Sequence, residues 1–253
     1  MNGNDTVQGS GNKGALIARL ASTLAILGLL AVGTGPLAVH TGVAHPIQGF
    51  GIFVLGLFFG LLAFLIGLVA LLRTRGSERV HRSRARMATG VGLALAAVLL
   101  FASAPGRGLP RINDMTTDPG DPPTFAAAKR EPANEGRDLS YPADYAEQQR
   151  AAYPDLAPIL LEISPADAFV RAQRAAGQLG WKTTYSDPEA GIFEAQEISP
   201  TFLFVDDIVV RIRPEGAAGS RLDLRSKSRD GKGDLGMNAK RIRAFTKKVK
   251  VGK

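Results

Sequence analysis

From Ile47 to Leu72 the chain carries no charged residue. A helix rises 1.5 Å per residue and needs about 20 residues to cross a bilayer core of roughly 30 Å, so this run is long enough to span a membrane. Two further runs share its character. Ala15 to Val39 is apolar or small apart from Arg19, and Met87 to Ser103 is again uncharged. The pattern predicts three membrane helices near residues 15–39, 47–72 and 87–103, all within the first hundred positions. The first run admits one alternative, a cleaved signal peptide, because Lys13 and Arg19 precede it and Gly42-Val43-Ala44 offers small residues for cleavage. Its apolar stretch exceeds the usual h-region of about 7 to 15 residues, which favours a retained helix.

The loop "RTRGSERVHRSRAR" sets the expected orientation. It holds Arg73, Arg75, Arg79, Arg82, Arg84 and Arg86 against Glu78, and arginine in short loops stays on the cytoplasmic side. The second helix then runs inward and the third outward, with the N-terminus cytoplasmic and everything after Ser103 extracytoplasmic. A bacterial inner membrane with a periplasmic domain fits this reading. The second and third helices contain no ionisable group at bilayer depth, which argues against an ion path or proton relay. Gly56 and Gly60 form a small-xxx-small pair suited to close helix packing, although glycine is also common filler in membrane helices. His40 and His45 flank the short outer loop, and two histidines without a third ligand read as interfacial residues.

Residues 105–158 hold nine of the fifteen prolines and show no sustained period of 2 or 3.6. They read as an irregular connection. Within it, "INDMTTDPGDPP" clusters Asn113, Asp114, Asp118 and Asp121 around Gly120. These are hard oxygen ligands of the kind calcium takes, but the spacing is not that of an EF-hand. Asp and Asn before Pro or Gly form ordinary turns, which is the preferred reading.

From Ile159 onward the pattern is compact. Ile159 to Ile163 is a short apolar run, after which Ser164 can cap a helix, Pro165 suits its first position and Asp167 its first turn. Phe169, Ala172, Ala176 and Leu179 recur at helical spacing, and Gly180 can end the helix. Strands follow over Trp181–Tyr185, Ile192–Ile198, Ile208–Arg213 and Arg221–Ser228, with a turn at Asp187-Pro188 and another in "PEGAAGS". Ile208, Val210 and Ile212 share one strand face, as do Leu222 and Leu224. Arg211 and Arg213, with Arg221, Asp223, Arg225 and Lys227, project from the other. A last helix over about Asp234–Val249 carries the apolar stripe Leu235, Ala239, Ile242, Phe245 and Val249. The expected fold is therefore a two-layer α+β domain over 159–253, an antiparallel sheet of about five strands with two helices, in the order βαββββα.

"GKGDLG", residues 231–236, matches the glycine pattern of a dinucleotide-binding loop. That motif requires a buried parallel strand before it, and a helix, a second strand and an acidic residue about 20 positions further on. Here the preceding strand alternates apolar and charged residues, and the sequence given reaches only Lys253. The glycines serve a strand-to-helix turn with Asp234 as cap, and no cofactor is expected. There is no Cys, and no His after His81, so the domain can form neither a Ser-His-Asp triad, a Cys-His pair nor a His/Cys zinc site. Asp206 and Asp207 are adjacent carboxylates, but strand neighbours point to opposite faces, and a turn or strand-edge role is the expectation.

"INDMTTDPGDPP", "DDIVVRIRPEG" and "SRDGKGDLGMNAKRIRAF" resemble the signature stretches of the family catalogued as domain of unknown function 1499, found in bacteria and plastids. The resemblance covers roughly residues 110–250, and Asp-Leu-Gly-x-Asn-Ala-Lys-Arg-Ile at 234–242 is its most specific string. Members often carry membrane helices ahead of the domain. At Gly233 the family pattern more often has serine. The resemblance implies no activity and no catalytic residue.

Charge is what remains. From Ser220 to the last residue there are twelve Lys and Arg against three Asp. Arg211, Arg213, Arg225, Lys240, Arg241, Arg243, Lys247 and Lys248 are thus candidate contacts for an anionic partner, such as lipid headgroups or an envelope protein. The alternative is a solvated basic face. Nucleic acid is excluded by the expected location. The leading reading is a membrane-anchored, non-enzymatic binding module. A carboxylate-dependent enzyme would need two acids converging in a cleft with raised pKa values, and a purely structural membrane subunit would depend on its interhelical glycines.

Overall fold

The computed structural model describes residues 4–75 and 78–252, so Gly76 and Ser77 of the arginine-rich loop and Lys253 lie outside the described residues. The chain divides into two compact units, Met1–Pro105 and Gly106–Lys253. The first unit is three helices, α1 (Asn4–His40), α2 (Pro46–Arg73) and α3 (Arg79–Ser103), each long and apolar enough to cross a membrane. Helix α3 begins well before the uncharged run. Arginine is a good helix former, so the charged residues 79–86 extend the helix beyond its apolar segment.

The glycines explain how these helices approach. A Cβ at Gly56 would lie 2.8 Å from the Gly28 carbonyl oxygen, and one at Gly60 would lie 2.3 Å from Leu95 Cβ. Neither position can hold a side chain without separating α2 from its neighbours. Among lipids, where no hydrophobic force pulls helices together, such close backbone packing is a principal source of association.

The second unit is built on a six-stranded antiparallel sheet ordered β1-β6-β5-β4-β3, with β2 also pairing with β6. The strands are β1 (Asp114–Thr116), β2 (Ile159–Leu161), β3 (Lys182–Asp187), β4 (Ile192–Ile198), β5 (Val205–Glu215) and β6 (Gly219–Ser228). Helices α5 (Pro165–Gln178) and α6 (Met237–Val251) cover one face, and a short α4 (Tyr145–Ala152) lies in the proline-rich stretch. Ser164 caps α5 as expected, its hydroxyl accepting the Asp167 amide at 3.2 Å.

The helix-covered face is the core. Ile208, Val210, Ile212, Leu222 and Leu224 are buried with Phe169, Ala239, Ile242, Phe245 and Val249. Trp181, the single tryptophan, stacks on Phe245 with ring centroids 5.1 Å apart. Burial of each large side chain contributes about 1.5 to 3 kcal/mol relative to exposure.

Three expectations need correction. Residues 106–158 belong to the second unit. They supply strand β1, which pairs with β6 from Asp114↔Lys227 to Thr116↔Arg225. Asp206 and Asp207 lie inside β5, paired with both β4 and β6, and not at a turn or sheet edge. Leu235 is outside the apolar stripe: α6 starts at Met237, and Leu235 is 55% exposed with φ of 54°.

Candidate functional site: an ionic sheet face and a basic helix

Strand alternation sends the second set of side chains to the sheet face away from α5 and α6. That face is roofed by residues 117–141 and is mostly ionic. Asp114, fully buried, accepts Arg225 Nε at 2.9 Å and Nη2 at 2.7 Å, and Lys227 Nζ at 2.8 Å. Arg225 also donates to the carbonyls of Pro123 and Leu139, and its guanidinium lies over the rings of Phe125 and Tyr141. A buried guanidinium is tolerable only when its donors are satisfied in this way.

A second centre forms around Asp223. Its buried carboxylate accepts Arg211 at 3.0 Å, Arg213 at 2.7 Å and Arg221 at 3.0 Å. The surplus cations are answered by the roof: Asp121 meets Arg211 and Arg213, and Asp118 meets Arg221. A third centre joins Arg229 to Asp207 and Glu131, and the Asp207 hydrogen bond holds Arg229 firmly protonated. Glu194, also buried, accepts the amides of Ala126, Ala127 and Ala128 at 2.6, 2.8 and 2.7 Å. Those amides open a 3-10 turn at Ala128–Arg130, whose free donors suit an anion.

The cluster read from sequence as a loose set of oxygen ligands is therefore distributed among basic partners. Asp114, Asp118 and Asp121 each face an arginine, and Asn113 donates to the Gly231 carbonyl at 2.6 Å. No group of three or more metal-binding side chains occurs among the described residues. Asp206 and Asp207 point to opposite faces as the strand period requires. Asp206 meets Arg241 of α6, and Asp207 meets Arg229.

Hydrogen bonds from Arg211 and Arg213 hold the Asp121 carboxyl below its ordinary pKa, and Arg243 does the same for Asp155. A carboxyl with a depressed folded-state pKa contributes stability above its unfolded value of about 3.9, and loses it as pH falls through the folded value. Thermal stability should thus be flat near neutrality and fall below about pH 4. Melts followed by Trp181 fluorescence test this. Asp121→Asn should have the shallower acid slope, and an unchanged slope would show that the roof pairs carry no part of it.

The candidate partner contacts separate into two sets. Arg211, Arg213, Arg225, Arg241 and Arg243 all lie in ion pairs within the unit. Arg241 is nearly buried between Glu197 and Asp206. Lys240, Lys247 and Lys248 are exposed on α6 and make no ion pair among the described residues. Near them a groove of about 250 Å³ is lined by Asp155, Leu156, Pro158, Ile242, Arg243, Lys247 and Lys250. A larger recess of about 430 Å³ adjoins it, with Arg150, Tyr153, Arg221 and Asp118 in its walls. The residues that sequence reasoning missed are Glu131 and Asp155, which neutralise Arg229 and Arg243, and Glu194, which holds the amides of the roof. They are scattered along the chain with no local pattern.

Three membrane-capable helices followed by an α+β unit with an ion-paired second sheet face define a membrane-anchored protein with a compact appended domain. Residues 114–249 match the family described as protein of unknown function (DUF1499), and the chain belongs to that family. No curated protein matches the chain.

Proposed function

We propose that the C-terminal unit is a non-enzymatic binding module held at a bacterial inner membrane, with the N-terminus cytoplasmic and the domain in the periplasm. It takes an anionic envelope component on the lysine face of α6. The carrying observation is the division of the basic residues. Among the candidate contacts the arginines are spent on internal acids, whereas Lys240, Lys247 and Lys248 stand exposed and make no ion pair among the described residues, near a groove that Lys250 also lines. Lysine ammonium groups on flexible stems suit a diffuse anionic surface, and each adds about 1 kcal/mol near one. An acid–base enzyme would be favoured by facing carboxylates with raised pKa values. Asp206 and Asp207 diverge across the sheet, and each is held by an arginine.

The test uses the full chain in neutral-lipid nanodiscs, mixed with vesicles containing phosphatidylglycerol or only phosphatidylcholine. Binding should occur to the anionic vesicles alone and should fade as the screening length shrinks from about 10 Å at 0.1 M salt to about 3 Å at 1 M. Lys247→Glu with Lys248→Glu should weaken it by roughly 2 kcal/mol, about thirtyfold, with an unchanged Trp181 melt. Binding indifferent to salt and lipid charge would overturn the partner assignment. A reporter fused after Lys253 and active only in the cytoplasm would overturn the topology.

A further inference from the structure

The turn between β6 and α6 is built in an unusual way. Leu235 takes φ of 54°, a left-handed conformation that costs a side-chain-bearing residue of order 1 kcal/mol and persists only where its surroundings impose it. The imposing groups are visible. The Asp234 carboxylate accepts the amides of Gly236 at 2.9 Å and Asn238 at 2.6 Å, which ties the turn to the first residues of α6. Gly236 follows with φ of 81°, where a Cβ would press on Leu109 at 3.0 Å. The strained turn presents two large apolar side chains to solvent, Leu235 at 55% and Met237 at 51% exposure.

The position of this turn within the chain suggests what covers it. It runs along the first residues of the C-terminal unit: a Cβ at Gly106 would lie 2.5 Å from Leu235 Cδ2, one at Gly233 would lie 3.3 Å from Arg111 Cα, and the Asp234 amide donates to the Ile112 carbonyl at 3.3 Å. Gly106 follows Ser103, the last residue of α3, by three residues, which span at most about 10 Å. Leu235 thus packs within its own unit on the residues that directly follow α3 in the chain. Exposed Arg107, Arg111, Lys232 and Lys240 lie in the two segments that meet here, residues 106–112 and 232–240. An apolar tip within a basic collar is the composition that suits an interface of acyl chains and anionic headgroups.

We infer that the Leu235–Met237 turn is a membrane-docking element: its two apolar side chains enter the headgroup region of the bilayer that holds α3, and the basic collar rests on the headgroups. This rests on α3 crossing the bilayer. It is independent of the lysines further along α6, because apolar insertion persists in neutral lipid and at high salt, where attraction between charges does not.

The absence of cysteine makes a clean experiment available with the full chain in liposomes. Single cysteines are introduced as Leu235→Cys, Met237→Cys, Leu160→Cys and Leu93→Cys, and each is coupled to an environment-sensitive fluorophore. Quenching by lipid-attached nitroxides and by aqueous iodide is then read for each. Leu93, on the exposed surface of α3, reports membrane insertion itself, and the exposed strand residue Leu160 reports the remote surface of the domain. Labels at 235 and 237 should be quenched by the lipid nitroxide several-fold more than the label at 160, and less by iodide, in phosphatidylcholine at high salt. Labels at 235 and 237 that behave like 160, while 93 is quenched by lipid, overturn the docking element and leave the anchor intact. Loss of lipid quenching at 93 removes the anchor on which the inference stands. Shielding at 235 that appears only at high protein density assigns the turn to contact between copies and likewise overturns it. The two neighbouring positions and a Trp181 melt of each variant guard against a local folding defect.

Discussion

Asp114→Ala should lower the melting temperature of the C-terminal unit by roughly 6 to 20 °C. The carboxylate is fully buried and answers two cations, Arg225 and Lys227, whose side chains are 1% and 9% exposed. Removing it leaves both charges uncompensated in a site sealed by Phe125 and the 117–141 roof, at a cost of about 3 to 5 kcal/mol. For a unit of this size each kcal/mol shifts the midpoint by about 2 to 4 °C. The effect should be read by Trp181 fluorescence, because that residue lies in the core of this unit and no tryptophan occurs in the membrane helices. Asp114→Asn keeps the shape and removes the charge, so it should recover little. A double variant, Asp114→Ala with Arg225→Met, should be more stable than the single one, since it removes one of the charges left unpaired. A melt within a degree or two of the parent for Asp114→Ala would mean that water reaches Arg225 and that the roof does not seal.

Ile242→Asp should leave the same unit unfolded at ambient temperature. Ile242 is 1% exposed and sits in the apolar cluster of Phe169, Leu224 and Phe245. The lost apolar burial and the unpaired charge together cost about 5 kcal/mol or more, comparable with the whole stability of a marginal domain. The expected signs are a red-shifted Trp181 emission without a cooperative melt, while the helical signal of the membrane part persists. Ile242→Val, which removes one methylene, should cost only about 1 kcal/mol and keep a sharp transition. A folded Ile242→Asp would place this side chain at the surface and contradict the packing of α6 on the sheet.

Much of this architecture is determined by the sequence alone, wherever the information is local. The three uncharged runs specify membrane helices because the bilayer demands a fixed apolar length. The alternation in Ile208–Ile212 and Leu222–Leu224 specifies strands with one buried face, and Ser164-Pro165 specifies the start of α5, because side-chain period and capping chemistry are set by neighbours a few residues apart. The false dinucleotide motif at 231–236 is also dismissed on local grounds, by the strand that precedes it.

The tertiary structure decided what the charges do. The sequence of the last 34 residues reads as a basic stripe, yet its arginines meet acids drawn mostly from positions 114 to 207, up to 111 residues away in the chain for Arg225 and Asp114. No periodicity records such a pairing, because a carboxylate near a turn and one inside a salt bridge are the same letter. For the same reason the stretch 105–158 reads as a linker. It has no apolar period because the sheet face it covers is mostly ionic, and it is anchored by ion pairs and hydrogen bonds together with scattered apolar contacts such as Phe125 and Leu139 beside Val209. The position of Leu235 likewise escapes a helical period count. The half-buried Asp234 carboxylate, which holds the amides of Gly236 and Asn238, and the left-handed backbone move it out of the α6 stripe and turn it toward solvent.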